Sequence, residues 1–246
     1  IFDLLNIDSK NNLISFIQKI IPKKSFFDMK LEGQMLRLNG FSSVSSESFN
    51  KDKSIHDSII DILPYNTISY ININSTNEKN FFKFNKKNII EKFSKNYKLE
   101  IGRAIIENSK SNKYDEIVIL KRKPSSDFQK TDSLLYDGIF KLDDQELNEL
   151  INNTNKQDKR EKFFIKIEDY ILISEQISSL IEIEYNIKKN KSWTKKLNIS
   201  KFKNQMNESH NISVVLDYSR FTNNYNSKIN LVSFQMSLID NKLYTS

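Results

Sequence analysis

This sequence predicts an α+β fold, antiparallel sheets with packed helices, on the strength of three observations. Stretches of alternating apolar and polar residues are interspersed with stretches at helical spacing, without the regular strand-helix-strand rhythm of a parallel sheet. Turn-forming pairs, Glu32-Gly33, Glu168-Asp169 and Asp240-Asn241, stand between strand-like arms, as hairpins require. The two ends of the chain also carry one pattern: Phe27, Met29, Leu31 and Leu36 recur with the same spacing as Phe234, Met236, Leu238 and Leu243. That repetition predicts an internal repeat of hairpin units, one period of a larger design.

Taken in order, the first element is an amphipathic helix from Asp8 to Ile21. Leu13, Ile14, Phe16, Ile17, Ile20 and Ile21 follow the caps Asp8 and Ser9, and Pro22 ends the run. Phe27, Met29 and Leu31 then alternate with charged residues up to Gly33, and Leu36 and Leu38 alternate beyond it, which predicts a hairpin with one buried face. The Ser-rich stretch Ser42 to Lys53 has no period and reads as a surface loop. Ile59, Ile60, Ile62 and Leu63 precede Pro64, after which Thr67 to Ile73 alternates as a strand. A helix carrying Phe81, Phe82, Phe84, Ile89, Ile90 and Phe93 is expected next, and a second helix holding Leu99, Ile101, Ile105 and Ile106.

Ile117 to Leu120 reads as a buried strand, and Leu134 to Leu142 as a strand broken at Asp137-Gly138. Asp143-Asp144 caps a helix through Leu147, Leu150 and Ile151, its acids where the helix dipole favours them. The polar stretch Asn152 to Glu161 separates a first α+β unit, 1–151, from a second, 152–246, whose closing hairpin is expected to be truncated. In the second unit, strands Phe163–Ile167 and Tyr170–Ser174 flank Glu168-Asp169. A helix from Gln176 to Lys188, a shorter one from Ser200 to Met206, the strand Ile212 to Leu216 and the final hairpin follow.

Composition narrows the chemistry. The 246 residues include 38% hydrophobic and 28% charged, enough for a sizeable core, yet only 4 Gly and 3 Pro. The formal charge of +7 is carried on a background rich in Lys, Asn and Ile, as an AT-rich genome produces. Arginine, the forked donor that reads phosphate and guanine, occurs only at Arg37, Arg103, Arg122, Arg160 and Arg220, which argues against nucleic acid as partner. Cysteine is absent, removing disulfides, thiol nucleophiles and thiolate metal ligands together. No window has the run of about 18 uncharged apolar residues that a membrane-crossing helix needs. A first residue other than Met, and a last one within a hairpin, point to a piece of a longer polypeptide.

No motif supplies a reactive centre. Gly33, Gly40, Gly102 and Gly138 do not frame a nucleophile elbow, and so few glycines leave no phosphate-cradling loop. His56 and His210 lie among polar neighbours and read as surface residues. Two distant histidines give no metal-ligand spacing. The acidic pairs Asp143-Asp144 and Glu182/Glu184 read as a helix start and a helix face rather than as acid-base carboxylates. The Phe81-Phe82-Lys83-Phe84 stretch resembles a base-stacking platform, but at helical spacing its rings fall with Ile89 on a core face. Trp193, between Lys191 and Lys195, is the candidate partner contact, with the edge of the core as its other reading. No catalytic residue, cofactor or metal is expected.

Two segments carry a resemblance: Leu36-Arg37-Leu38-Asn39-Gly40-Phe41 at the end of the first hairpin, and Leu63-Pro64-Tyr65-Asn66-Thr67 leading into Ile68-Ser69-Tyr70-Ile71. With Ile167 to Ser174 and Ile212 to Leu216, they resemble an uncharacterised family of Bacteroidota cell-envelope lipoproteins with an LNGF-type hairpin and an LP-x-NT strand motif. The resemblance implies an exported periplasmic or outer-membrane protein of repeated α+β units, held by a lipid anchor outside this segment. It also implies protein partners in an envelope complex and no assigned activity. The function expected is therefore a non-catalytic structural or protein-interaction module; the alternative is a ligand-binding domain or enzyme whose site is assembled from residues distant in sequence.

Overall fold

The structure, a computed structural model, describes residues 25–32, 35–42, 55–75, 93–108, 113–124, 134–136, 138–143, 147–148, 160–204, 209–217, 220, 231–239 and 242–245. The helix expected at 8–21, the loop at 42–53 beyond Ser42, the Phe81 to Ile90 helix face and the 152–159 stretch lie outside the described residues. Of the helix expected from Asp143, only 147–148 is described as helical.

A predominantly antiparallel sheet organises the molecule, accompanied by a few helices. Its strands are β1 (Ser25–Glu32), β2 (Met35–Ser42), β4 (Thr67–Asn74), β5 (Tyr97–Asn108), β6 (Lys113–Arg122), β7 (Leu134–Tyr136), β8 (Ile139–Lys141), β9 (Phe163–Ile167), β10 (Tyr170–Ser174), β12 (Ile212–Asp217), β13 (Leu231–Ile239) and β14 (Lys242–Thr245). These twelve lie in the order β1-β2-β14-β13-β12-β4-β5-β6-β10-β9-β8-β7. A separate two-stranded ribbon pairs β3 (Ile55–His56) with β11 (Ser209–His210). Strands from both sides of the boundary expected near residue 151 pair directly, β4 with β12 and β6 with β10.

Several expected strands fall where alternation placed them, because turn chemistry and period agree there. The β9-β10 hairpin turns at Glu168-Asp169, with Glu168 in the left-handed region at φ 51°. Gly138, at φ 78°, serves the turn into β8, a conformation that costs glycine little. Helix α1 (Ile177–Lys188) matches the expected span and ends in a Schellman arrangement. There Asn190 takes φ 55°, its N–H donates to Ile187 O at 2.8 Å, and Lys191 N donates to Asn186 O at 2.8 Å. Helix α2 (Leu197–Lys203) begins three residues earlier than its spacing suggested.

One expectation is corrected outright. Leu99, Ile101, Ile105 and Ile106 belong to β5, not to a helix. The sheet is covered on both faces here, so apolar residues occupy both sides of the strand and imitate helical spacing. Neighbouring residues show the division: Ile117 and Ile119 belong to one apolar cluster, Val118 and Leu120 to the other. Gly102 on β5 is required by close approach, since a Cβ there would meet Ile59 Cγ2 at 2.8 Å.

The larger cluster gathers Ala104, Ile106, Ile119, Ile165 and Leu172 from the sheet beneath Leu180 and Ile183 of α1 and Ile59 and Ile60 of the 3-10 turn η1 (Ile59–Ile62). Trp193, opening the 3-10 turn η2 (Trp193–Lys195), is fully buried in it, and its backbone N–H donates to Leu63 O at 2.8 Å. The second cluster, on the opposite face, joins Phe93, Tyr97, Leu142, Leu147, Phe164 and Ile171.

The first and last hairpins have matching registers. Leu31 stands opposite Leu36 and Met29 opposite Leu38; Leu238 stands opposite Leu243 and Met236 opposite Thr245. Strands β2 and β14 pair antiparallel, so the two hairpins form four adjacent strands at one side of the sheet.

Candidate functional site

The most concentrated chemistry lies where the β3-β11 ribbon meets the sheet. Pairing of His210 with Ile55 brings the end of β3 beside the start of β12, and Asp57, directly after β3, turns inward as η1 begins. Asp57 Oδ1 accepts hydrogen bonds from Ile59 N at 3.1 Å and Ile60 N at 3.2 Å, capping the 3-10 turn. The same oxygen accepts the Tyr70 hydroxyl at 2.8 Å. Asp57 Oδ2 lies 3.3 Å from His210 Nε2, and His210 Nδ1 lies 2.9 Å from Gln235 Nε2. With the Gln235 amide donating, Nδ1 accepts and the imidazole proton sits on Nε2, facing the carboxylate.

Strand pairing supplies the floor. Asn72 stands opposite Ser213, and Ser213 opposite Gln235, so a polar row crosses β4, β12 and β13. Asn74 stands opposite Glu100 on β5. All five are buried, Asn72 and Ser213 to 0% exposure. Glu100 receives Ser58 Oγ and Asn72 Nδ2, each at 3.5 Å. Lys121 Nζ donates to Ser58 Oγ and stands 5.4 Å from the Tyr170 ring centre, while the Tyr170 hydroxyl donates to Ser58 O at 3.2 Å.

These contacts set the charges. Burial would raise the Asp57 carboxyl, but the His210 imidazole beside it, the Tyr70 hydroxyl and the Ile60 N–H outweigh that and hold the group below the ordinary carboxylate range. Burial, then the Asp57 charge, pushes the Tyr70 phenol well up. Glu100 is also raised, first by burial and then by Asp57, against an opposing pull from Lys121. Asp57 is thus the carboxylate this pocket of structure is built to keep charged.

A second polar cluster fastens α1 to the sheet. Asn108 Nδ2 donates to Asp115 Oδ2 at 3.0 Å, Ser178 Oγ at 3.1 Å and Ser179 Oγ at 3.2 Å, and Ser179 Oγ donates to Asp115. A third group surrounds Lys196, whose Nζ lies 4.6 Å from the Tyr65 ring centre. Burial, then the charge of Arg220, lowers its ammonium to a pKa of about 8.

No protein-family model, curated protein or solved structure matches this chain. The geometry therefore has to speak for itself. His210, expected at the surface, is 1% exposed, because the register of β11 with β3 carries it under the ribbon. His56 lies in β3 opposite Ser209. Trp193, the candidate partner contact, is 0% exposed, so its ring fills core and presents no face to a partner. Glu184 pairs with Lys188 one helical turn on at 2.8 Å, and Glu182 Oε1 accepts from Asn66 Nδ2 at 3.2 Å, as a helix face would have it. Among the described residues, no group of three or more His, Cys, Asp or Glu side chains is placed to hold a metal ion.

The residues that motif reading passed over are Asp57, Tyr70, Glu100 and Gln235. Their signal is present but faint: Tyr70 and Asn72 interrupt an apolar strand, and Gln235 stands between Phe234 and Met236. An isolated polar residue inside a buried strand needs a partner, and the partners lie far away in the chain.

Proposed function

We propose that this chain is a non-catalytic structural or protein-interaction module of a cell envelope, built from repeated hairpin units within an α+β scaffold. On this reading it is exported to the periplasm or outer membrane as a lipoprotein. Its anchor lies outside this segment, and its partners are proteins of an envelope assembly rather than nucleic acid. The observation that carries the reading is the matched register of the first and last hairpins, which combine side by side within one sheet. A unit that packs against its own copy is suited to extending a scaffold. Among the described residues no helix is long and apolar enough to cross a membrane. Affinity capture of the tagged protein from native membranes is expected to recover defined envelope proteins with it; recovery of a soluble monomer alone would overturn the reading.

A second reading, a ligand-binding domain or enzyme, is favoured by one observation: Asp57, Tyr70, Glu100, His210 and Gln235 converge from distant segments. Against it stands their use of one another, since both ring nitrogens of His210 face protein partners and catalysis needs a group within reach of substrate. A small-molecule thermal-shift screen separates the two. A ligand whose stabilisation vanishes in His210→Gln, with the variant still folded, would favour the second.

A further inference from the structure

We propose that β1 is a docking edge for a second copy of this chain, the two β1 strands pairing antiparallel about Met29 to continue the sheet from one molecule into the next. The inference deepens the scaffold reading and rests on it. The two ends of the sheet are built differently. Strand β7 has three residues and an irregular register, the kind of short edge that discourages further pairing. Strand β1 runs eight residues in unbroken register along β2, and among the described residues it pairs with no other strand.

The matching hairpin shows which backbone groups face outward. Strand β13 stands to β14 as β1 stands to β2, and the far side of β13 is filled by β12. There the Met236 carbonyl accepts a hydrogen bond from Asn211 N at 2.8 Å. The corresponding carbonyl, that of Met29, lies by equivalence on the outer side of β1. Because a strand residue directs its N–H and C=O to one side and its neighbours direct theirs to the other, Phe27, Met29 and Leu31 offer the outward groups.

Symmetry and charge then select the register. Two antiparallel copies related by a two-fold axis through the sheet place one residue opposite its own copy. Centring on Asp28 or Lys30 would set like charges face to face, and centring on Leu31, which would set Lys30 opposite Glu32, would overlap only the end of each strand, residues 30–32. Centring on Met29 sets Asp28 opposite Lys30 twice, in the non-hydrogen-bonded positions where side chains approach closest, while Phe27, Met29 and Leu31 exchange backbone hydrogen bonds. Within its own hairpin, Lys30 stands opposite Arg37 and Asp28 opposite Asn39. The second copy would set an opposite charge across from each.

Sedimentation velocity of the 246-residue chain over a concentration series tests this. A reversible dimer is expected. Asp28→Lys and Lys30→Asp should each weaken it by about tenfold or more, since two attractive cross-strand pairs become repulsive. The double variant D28K/K30D restores the attraction and should recover dimerisation. Met29→Pro removes an outward N–H without touching the β2 side, so it should abolish the dimer while the unfolding curve stays in place. A wild-type chain that is monomeric throughout, a double variant no better than the single ones, or a dimer indifferent to Met29→Pro would each overturn the proposal. A monomer that still captures envelope proteins would leave the scaffold reading standing without it. A β1-dependent dimer that captures none would do the reverse.

Discussion

One face of the sheet is covered in two different ways, and the contrast explains where this fold is robust. Beneath α1, η1 and η2 the face is apolar, filled by Ile and Leu side chains and closed by Trp193. Beneath the β3-β11 ribbon it is polar, floored by Asn72, Ser213 and Gln235 and closed by Asp57 and His210. Tyr70 belongs to both: its ring is part of the apolar cluster and its hydroxyl binds Asp57. Apolar contacts are non-directional, so the first region responds to lost volume. Hydrogen bonds are directional and buried polar atoms are costly when unpaired, so the second responds to lost geometry.

The largest expected effect comes from breaking the apolar side. Trp193→Ala should cost ~3–5 kcal/mol in urea unfolding, the range for deleting a large buried aromatic, and Trp193→Phe distinctly less. On the polar side, Asp57→Asn should cost ~1–3 kcal/mol, because one change weakens the contacts to Tyr70, His210 and the η1 turn together. A double-mutant cycle with Tyr70→Phe should give a non-zero coupling, whereas Asp57→Asn with Trp193→Phe should be close to additive. The two regions would be one cooperative unit if the second pair coupled as strongly as the first.

The pH dependence sharpens the comparison further. Asp57 has its folded pKa lowered, so its contribution is present above the unfolded value and is lost as pH falls through the folded one. The stability gap between wild type and Asp57→Asn should therefore shrink in acid. Glu100 has the opposite sign: its folded pKa is raised, so it favours the fold at low pH and loses that contribution as pH rises through the folded value. Glu100→Gln should consequently show a small gain over wild type near neutrality that disappears at low pH, read from denaturation midpoints across a pH series. The smallest effect concerns Lys196. With its pKa held to about 8, it should react with an amine-selective acylating reagent at pH 8 ahead of the surface lysines, as peptide mapping would show.

Most strands were legible in the sequence because local alternation and turn chemistry agree, as in β9-β10 and the first and last hairpins. The β5 strand was not, because a strand buried on both faces loses its period of two and Ile105-Ile106 reads equally well as helix. The site was less legible still. His210 looked solvated from its neighbours Ser209 and Asn211, and only pairing with β3, more than half the chain away, buries it. Trp193 was placed between lysines by the sequence and in the core by the η2 turn, which folds the ring inward while its lysine neighbour Lys195 stays exposed.

Strand order also bears on how such a chain is made. Hairpins β5-β6 and β9-β10 can form as soon as their residues leave the ribosome, but one side of β4 waits for β12 and one side of β2 waits for β14. Until the C-terminal third has been synthesised, β2 and β4 each expose an unsatisfied rim of amides to the crowded cell. Those rims close late, when the last strands zip into place, so the order of synthesis leaves the middle of the sheet as its last part to be completed.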